Sequence, residues 1–134
     1  MSDKTGRFRR SDRLLDSRDF RRVLRRGRRR ADSKLVVITV KRQNIPNNNS
    51  KLGNVLPIES RLGITASRKV GNAVVRNRFK RRVRAWFCAR RSLFQENLDL
   101  VVIARRSGAA LSFEQLDSTL GRLLELKSPI LESQ

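Results

Sequence analysis

Between Gly71 and Arg84 the chain reads Gly-Asn-Ala-Val-Val-Arg-Asn-Arg-Phe-Lys-Arg-Arg-Val-Arg, with Arg68-Lys69 just before it. Guanidinium groups at this density do one kind of chemistry well: they bind phosphate oxygens, often two at a time. Arg76, Arg78, Lys80, Arg81, Arg82 and Arg84 are the contact candidates, joined by Arg68 and Lys69. Asn77 differs in kind. Its amide donates and accepts, so it suits a sugar, a base edge or a neighbouring backbone as readily as plain solvent. No acid occurs from Ser60 to Gln95. A merely solvated helix mixes signs at i,i+4 for small ion-pair gains. This segment accepts like-charge repulsion instead, and a nucleic acid is the partner that relieves it.

The rest of the chain offers no catalytic constellation. It has no histidine, which removes imidazole acid/base chemistry and the commonest metal ligand. Asp12, Asp16 and Asp19 are spaced like a metal pair, but acids at a helix start complement its dipole, and that reading is the stronger one. Glu114 and Asp117 are read in the same way. Gly71-Asn72 enters a helix without the Lys-Ser/Thr of a phosphate loop. Cys88 is the only cysteine, a small helix residue with no partner for an intrachain disulfide. Phe20 could stack on an unpaired base at ~1–3 kcal/mol, but on residue type alone a core position is favoured.

The elements that must position these groups follow from periodicity. Val75, Phe79, Val83 and Trp86 recur at helical spacing and make one apolar stripe over a helix from Gly71 to Arg91. The Asn77, Lys80, Arg81 and Arg84 side stands opposite, and Trp86 reads as core. Ser17 is an N-cap candidate and Gly27 a C′ candidate for a short helix carrying Phe20, Val23 and Leu24 on one face. Strands are expected over Lys34–Lys41, Arg61–Ser67 and Asp99–Arg105. The Asn- and Pro-bearing stretch 43–60 is a loop, read as a tolerated insertion. Ser112-Phe113-Glu114-Gln115 is a capping box that opens a last helix, with Pro129 expected to end it. The order helix, strand, strand, helix, strand, helix gives a two-layer α+β sandwich. Residues 1–12 are expected to form a mobile basic N-terminus, 13–127 one domain, and 128–134 a tail.

The stretch Arg61-Leu62-Gly63-Ile64-Thr65-Ala66-Ser67-Arg68-Lys69-Val70-Gly71-Asn72-Ala73-Val74-Val75-Arg76-Asn77-Arg78-Phe79-Lys80-Arg81 closely resembles the signature of the bacterial ribonuclease P protein component. Ser17-Arg18-Asp19-Phe20 and the final strand–helix pair also fit. The resemblance covers most of the chain, but not 43–60 or the last few residues. It implies a mixed four-stranded sheet with a left-handed βαβ crossover, where the default would be right-handed. The fourth strand is then short and near Arg28–Asp32. It implies a protein subunit that binds a catalytic RNA through the Arg-Asn-Arg helix and the 5′ leader of precursor tRNA in a cleft. That cleft would be lined by Phe20, Val37 or Ile38, and Thr65. Where some members carry further aromatics this chain has Leu24 and Ile38, so van der Waals contact substitutes for some stacking. The resemblance also implies an endoribonuclease whose catalytic site, with its Mg²⁺ ions, lies on the RNA subunit. No metal would be bound by the protein alone, and no obligate protein partner is expected.

Composition agrees with that class. Lysine and arginine number 32 against 12 acids, a formal charge of +20 on 134 residues. Such self-repulsion leaves the isolated chain marginally stable at low salt. An anionic membrane is the other common target of this charge, but no stretch approaches the ~20 apolar residues of a spanning helix. No apolar run near the start suggests a signal peptide, so the cytoplasm is expected. A structural ribosomal RNA-binding protein is the main alternative. A DNA-binding protein is weaker, because the charge covers too wide an arc with few base-reading side chains beside Asn77.

Overall fold

The computed structural model describes residues 8–14, 16–42, 60–94 and 97–126. Helix α1 (Ser17–Arg26) is followed by strands β1 (Arg28–Ala31), β2 (Leu35–Lys41) and β3 (Arg61–Thr65). Helix α2 (Ala73–Arg90), strand β4 (Leu98–Ala104) and helix α3 (Phe113–Leu124) complete the order. The sheet runs β1-β2-β4-β3. The β1–β2 and β2–β4 pairs are antiparallel, and β3 lies parallel to β4, the pair that α2 connects. The short fourth strand lies within the span expected for it. Stretch 43–59 and Pro129 fall outside the described residues.

Strand β2 is central, and its run Leu35-Val36-Val37-Ile38 is buried on both sides. Leu35 and Val37, with Leu100 and Val102 of β4, face α2 and α3. Val36 and Ile38, with Val101, face α1. The two-layer arrangement thus holds for α2 and α3 against the sheet, while α1 adds a short layer on the far face. Edge strand β1 reads Arg-Arg-Arg-Ala and is largely exposed, a composition that discourages pairing with another chain.

The main core is built on the α2 stripe. Phe79, Val83, Trp86 and Phe87 are fully buried against Leu116 and Leu120 of α3. Truncating Phe79 or Trp86 to alanine there would cost about 3–5 kcal/mol. The indole Nε1 of Trp86 donates to Asp117 at 3.0 Å, and Arg90 grips the same carboxylate through two bonds of 2.9 Å. Asp117 therefore ties α2 to α3, rather than serving the α3 dipole as its position suggests.

Several helix ends differ from the sequence expectation. Asp16, not Ser17, caps α1, its carboxylate accepting from the Arg18 amide at 2.8 Å; one residue earlier, it reaches the free amides equally well. Gly27 follows α1 as a C-cap in extended rather than left-handed conformation. The Ser112–Gln115 capping box forms as expected. Helix α3 stops at Leu124, before Pro129, because Glu125 turns left-handed (φ 58°) and its amide closes on Arg122 and Gly121. Asp12 is buried, not a surface acid: it accepts from the Arg9 amide and pairs with Arg91 at 2.6 Å. Phe8 packs edge-on against Phe87 nearby, so residues 8–12 of the basic N-terminal segment belong to the folded body.

Candidate nucleic-acid interface

The entry to α2 aims the basic band. Arg68–Val70 form a single 3₁₀ turn, and Gly71 then takes φ 155°, ψ −178°, a conformation open essentially to glycine. A Cβ there would stand 2.8 Å from Val75. Asn72 caps α2 by accepting from the Val75 amide at 3.0 Å. The turn and the first half of α2 thus present Arg68, Lys69, Asn77, Arg78 and Arg81 on one exposed surface, with Arg76 and Lys80 half-buried beside them.

Among the described residues, no carboxylate pairs with Arg68, Lys69, Arg76, Arg78, Lys80 or Arg81. The acids instead hold the far end of the helix, through Arg90–Asp117 and Arg91–Asp12. Two expected members also make contacts within the protein. Arg82 donates from Nη1 to the Leu111 carbonyl at 2.9 Å and so fastens α2 to the segment before α3. Arg84 lies 5.8 Å from the Phe8 ring centre, and burial, then the nearby Arg13, lower its proton affinity. Helical spacing could not separate these two from the rest, because their partners lie far away in sequence.

A second surface lies on the α1 face of the sheet. Phe20 is half-buried above Gly63, where a Cβ would come within 2.8 Å of its ring. The glycine lets the aromatic ring lie on the strand backbone. Thr65 shares this face and is half-buried. Val37 does not: it points the other way, into the core beneath α2 and α3, and is 1% exposed. Ile38 is on the correct face but is only 3% exposed. Ile103 takes the place that Val37 was expected to fill. It pairs in register with Thr65 and with Val36 and is half-buried. Arg29, opposite Ile38 on the edge strand, adds an exposed cation to the same face. A doubly buried strand shows no alternation, so its parity could not be read from residue types.

At the other end of this face lies a feature with no sequence signal. Asp99, fully buried, is surrounded by Arg22 of α1 (2.9 Å), Arg61 of β3 (2.8 Å) and Arg42 (3.5 Å). The bond to Asp99 outweighs burial and raises the proton affinity of Arg61, while burial and then Arg61 itself lower that of Arg42.

The arrangement gathers exposed cations on α2 and, beside α1, a half-buried strip of Phe20, Thr65 and Ile103 with Arg29 exposed on the same face. Comparisons with known proteins give the family. A family model described as Ribonuclease P matches residues 8–127. The ribonuclease P protein component of Bacillus pumilus is 31% identical over 123 residues, 92% of this chain and 92% of that protein. That of Clostridium novyi is 33% identical over 118 residues, 88% and 95%. The solved structure of the Staphylococcus aureus RNase P protein superposes with a TM-score of 0.68 at 31% identity, covering 85% of this chain and 93% of that one. The Thermotoga maritima RNase P protein, solved with 1-(4-fluorophenyl)-2-thiourea, gives 0.67 at 30% identity, covering 84% and 97%.

Proposed function

The chain belongs to the ribonuclease P protein family, and from that premise we propose that its α2 band holds the catalytic RNA while the α1 groove holds the 5′ leader of precursor tRNA. Membership makes it the protein component of a tRNA-processing ribonucleoprotein with an RNA subunit. The observation that carries the finer reading is the concentration of Arg68, Lys69, Arg76, Arg78, Lys80 and Arg81 on one turn and the first half of one helix, with no carboxylate partner among the described residues. Unpaired guanidinium groups on a rigid helix suit a polyphosphate backbone. Asn77, exposed among them, suits a ribose or base edge.

The protein's own part is binding. Arg78 and Arg81 neutralise RNA phosphates. Phe20, Thr65 and Ile103 give unpaired leader nucleotides an apolar floor, and Arg29 supports the backbone at its rim. Bond hydrolysis is assigned to the RNA subunit, where Mg²⁺, when bound, would activate the attacking water. Asp12, Asp32, Asp99 and Asp117 are each held by arginine, so these four carboxylates serve the fold. No described helix is long and apolar enough to cross a membrane.

Reconstitution tests the reading. The full chain mixed with the catalytic RNA of its host should promote removal of the leader from precursor tRNA at low Mg²⁺, and the chain alone should cleave nothing. Cleavage by RNA-free protein that disappears in variants of the chain overturns it.

A further inference from the structure

We infer that Asp99 is a positioning residue for the groove: through Arg22 it sets the roll of α1, and with it the placement of Phe20 and Leu24. The inference rests on the leader-groove reading above.

Helix α1 sits on the sheet through Val23, which is fully buried. The residues to either side of that contact line differ in chemistry. Asp19 and Arg22, three apart, form one flank; Phe20 and Leu24, four apart, form the other. On the ionic flank, Arg22 Nη2 donates to Asp99 Oδ2 at 2.9 Å, and Asp19 accepts from Arg61 at 3.3 Å. On the apolar flank, Phe20 is half-buried and Leu24 is 43% exposed, a large apolar side chain at the lip.

The strands beneath connect the two flanks. Because β3 and β4 are parallel and in register, Arg61 lies opposite Asp99 at one end and Thr65 opposite Ile103 at the other. Alternation puts all four on the α1 face. Anchor and groove therefore share two strands and one face, and α1 spans them. Gly63, the residue between Arg61 and Thr65 on that face, has no side chain to stop Phe20 from sliding. Apolar contact at Val23 is not directional, whereas the hydrogen bonds that tie α1 to the sheet, Arg22 to Asp99 and Arg61 to Asp19, are. A roll of α1 about Val23 would break those bonds and carry Phe20 across the strand.

The test uses the full chain assembled with its catalytic RNA, comparing affinity for precursor tRNA with that for mature tRNA, which lacks a leader. Asp99→Asn and Arg22→Ala should each lower the precursor-to-mature ratio roughly two- to thirtyfold, leaving mature tRNA binding and the salt slope unchanged. The double variant should be no worse than the worse single one, as expected for two residues acting through one contact. Arg22→Lys keeps one charged donor and should restore most of the ratio. If Asp99→Asn does not fold, the two Arg22 variants carry the test. An Arg22→Ala that flattens the salt slope by about 0.7 to 0.9 units would mark Arg22 as a direct phosphate contact and overturn the inference. So would an unchanged ratio in Arg22→Ala when Phe20→Ala lowers it. If Phe20→Ala itself leaves the ratio unchanged, the groove reading fails and takes this inference with it.

Discussion

Arg61 and Asp99 face each other in register across the parallel β3–β4 pair and are joined at two points, Nε to Oδ1 at 2.9 Å and Nη2 to Oδ2 at 2.8 Å. A planar fork on a planar carboxylate fixes distance and angle together. The pair sits under the ionic flank of α1, so it links sheet registration to helix placement. Removing the acid takes the shared partner from three partly exposed guanidinium groups, of which Arg61 keeps Asp19. Asp99→Ala should lower unfolding free energy by about 1–3 kcal/mol, read from the urea midpoint at constant m-value. A loss well under 1 kcal/mol would show that water reaches the cluster.

The α2 band predicts a particular salt response. Replacing Arg68, Arg78 and Arg81 together by alanine should flatten the log–log salt dependence of RNA binding by about two to three units. Circular dichroism should stay native, because all three are exposed. Arg82→Ala should do the opposite: it loses the bond to the Leu111 carbonyl, so stability falls while the slope holds. A triple variant with an unchanged slope would place the RNA surface elsewhere.

Phe20 and Gly63 should behave as one unit. Phe20→Ala should weaken precursor tRNA binding by about 1–3 kcal/mol if a base stacks there, with mature tRNA unaffected. Gly63→Ala should reproduce that selectivity, since the new methyl would lie 2.8 Å from the ring and displace it. Equal losses for both RNAs, together with a large fall in melting temperature, would instead make Phe20 a core residue.

Asp32 makes stability depend on acid. Burial raises its pKa, but the Leu35 and Lys34 amides and then Arg122 outweigh that and hold it below the ordinary carboxylate value. Its folded pKa lies below its unfolded one, so its stabilisation is fully present above the ordinary value near 4 and fades as pH falls through the folded pKa. Wild type should therefore exceed Asp32→Asn in stability at pH 6, and the gap should close as pH falls below about 4. Parallel melting curves from pH 6 to 3 measure this; a gap that stays constant would remove the charge from the explanation.

Much of the site was legible in the sequence because its signals are local. The α2 stripe at Val75, Phe79, Val83 and Trp86 needs only the helical repeat, and the opposing basic surface follows from it. The Ser112–Gln115 box closes within four residues. Gly71-Asn72 was legible as a helix entry, and the structure adds the unusual Gly71 backbone and the Asn72 cap.

Tertiary structure alone decided what depends on partners distant in the chain. Val37 and Val36 are equivalent as residue types, and only pairing with β1 and β4 turned Val36 toward α1 and Val37 into the core. Arg82 and Arg81 are neighbours of identical chemistry, yet the Leu111 carbonyl, 29 positions away, holds one while the other stays exposed. Asp99 reads as an ordinary strand residue until α1 and β3 bring Arg22 from 77 positions away and Arg61 from 38. Periodicity reports which way a side chain faces along its own element. What waits on the other side depends on chain crossings that no local repeat encodes.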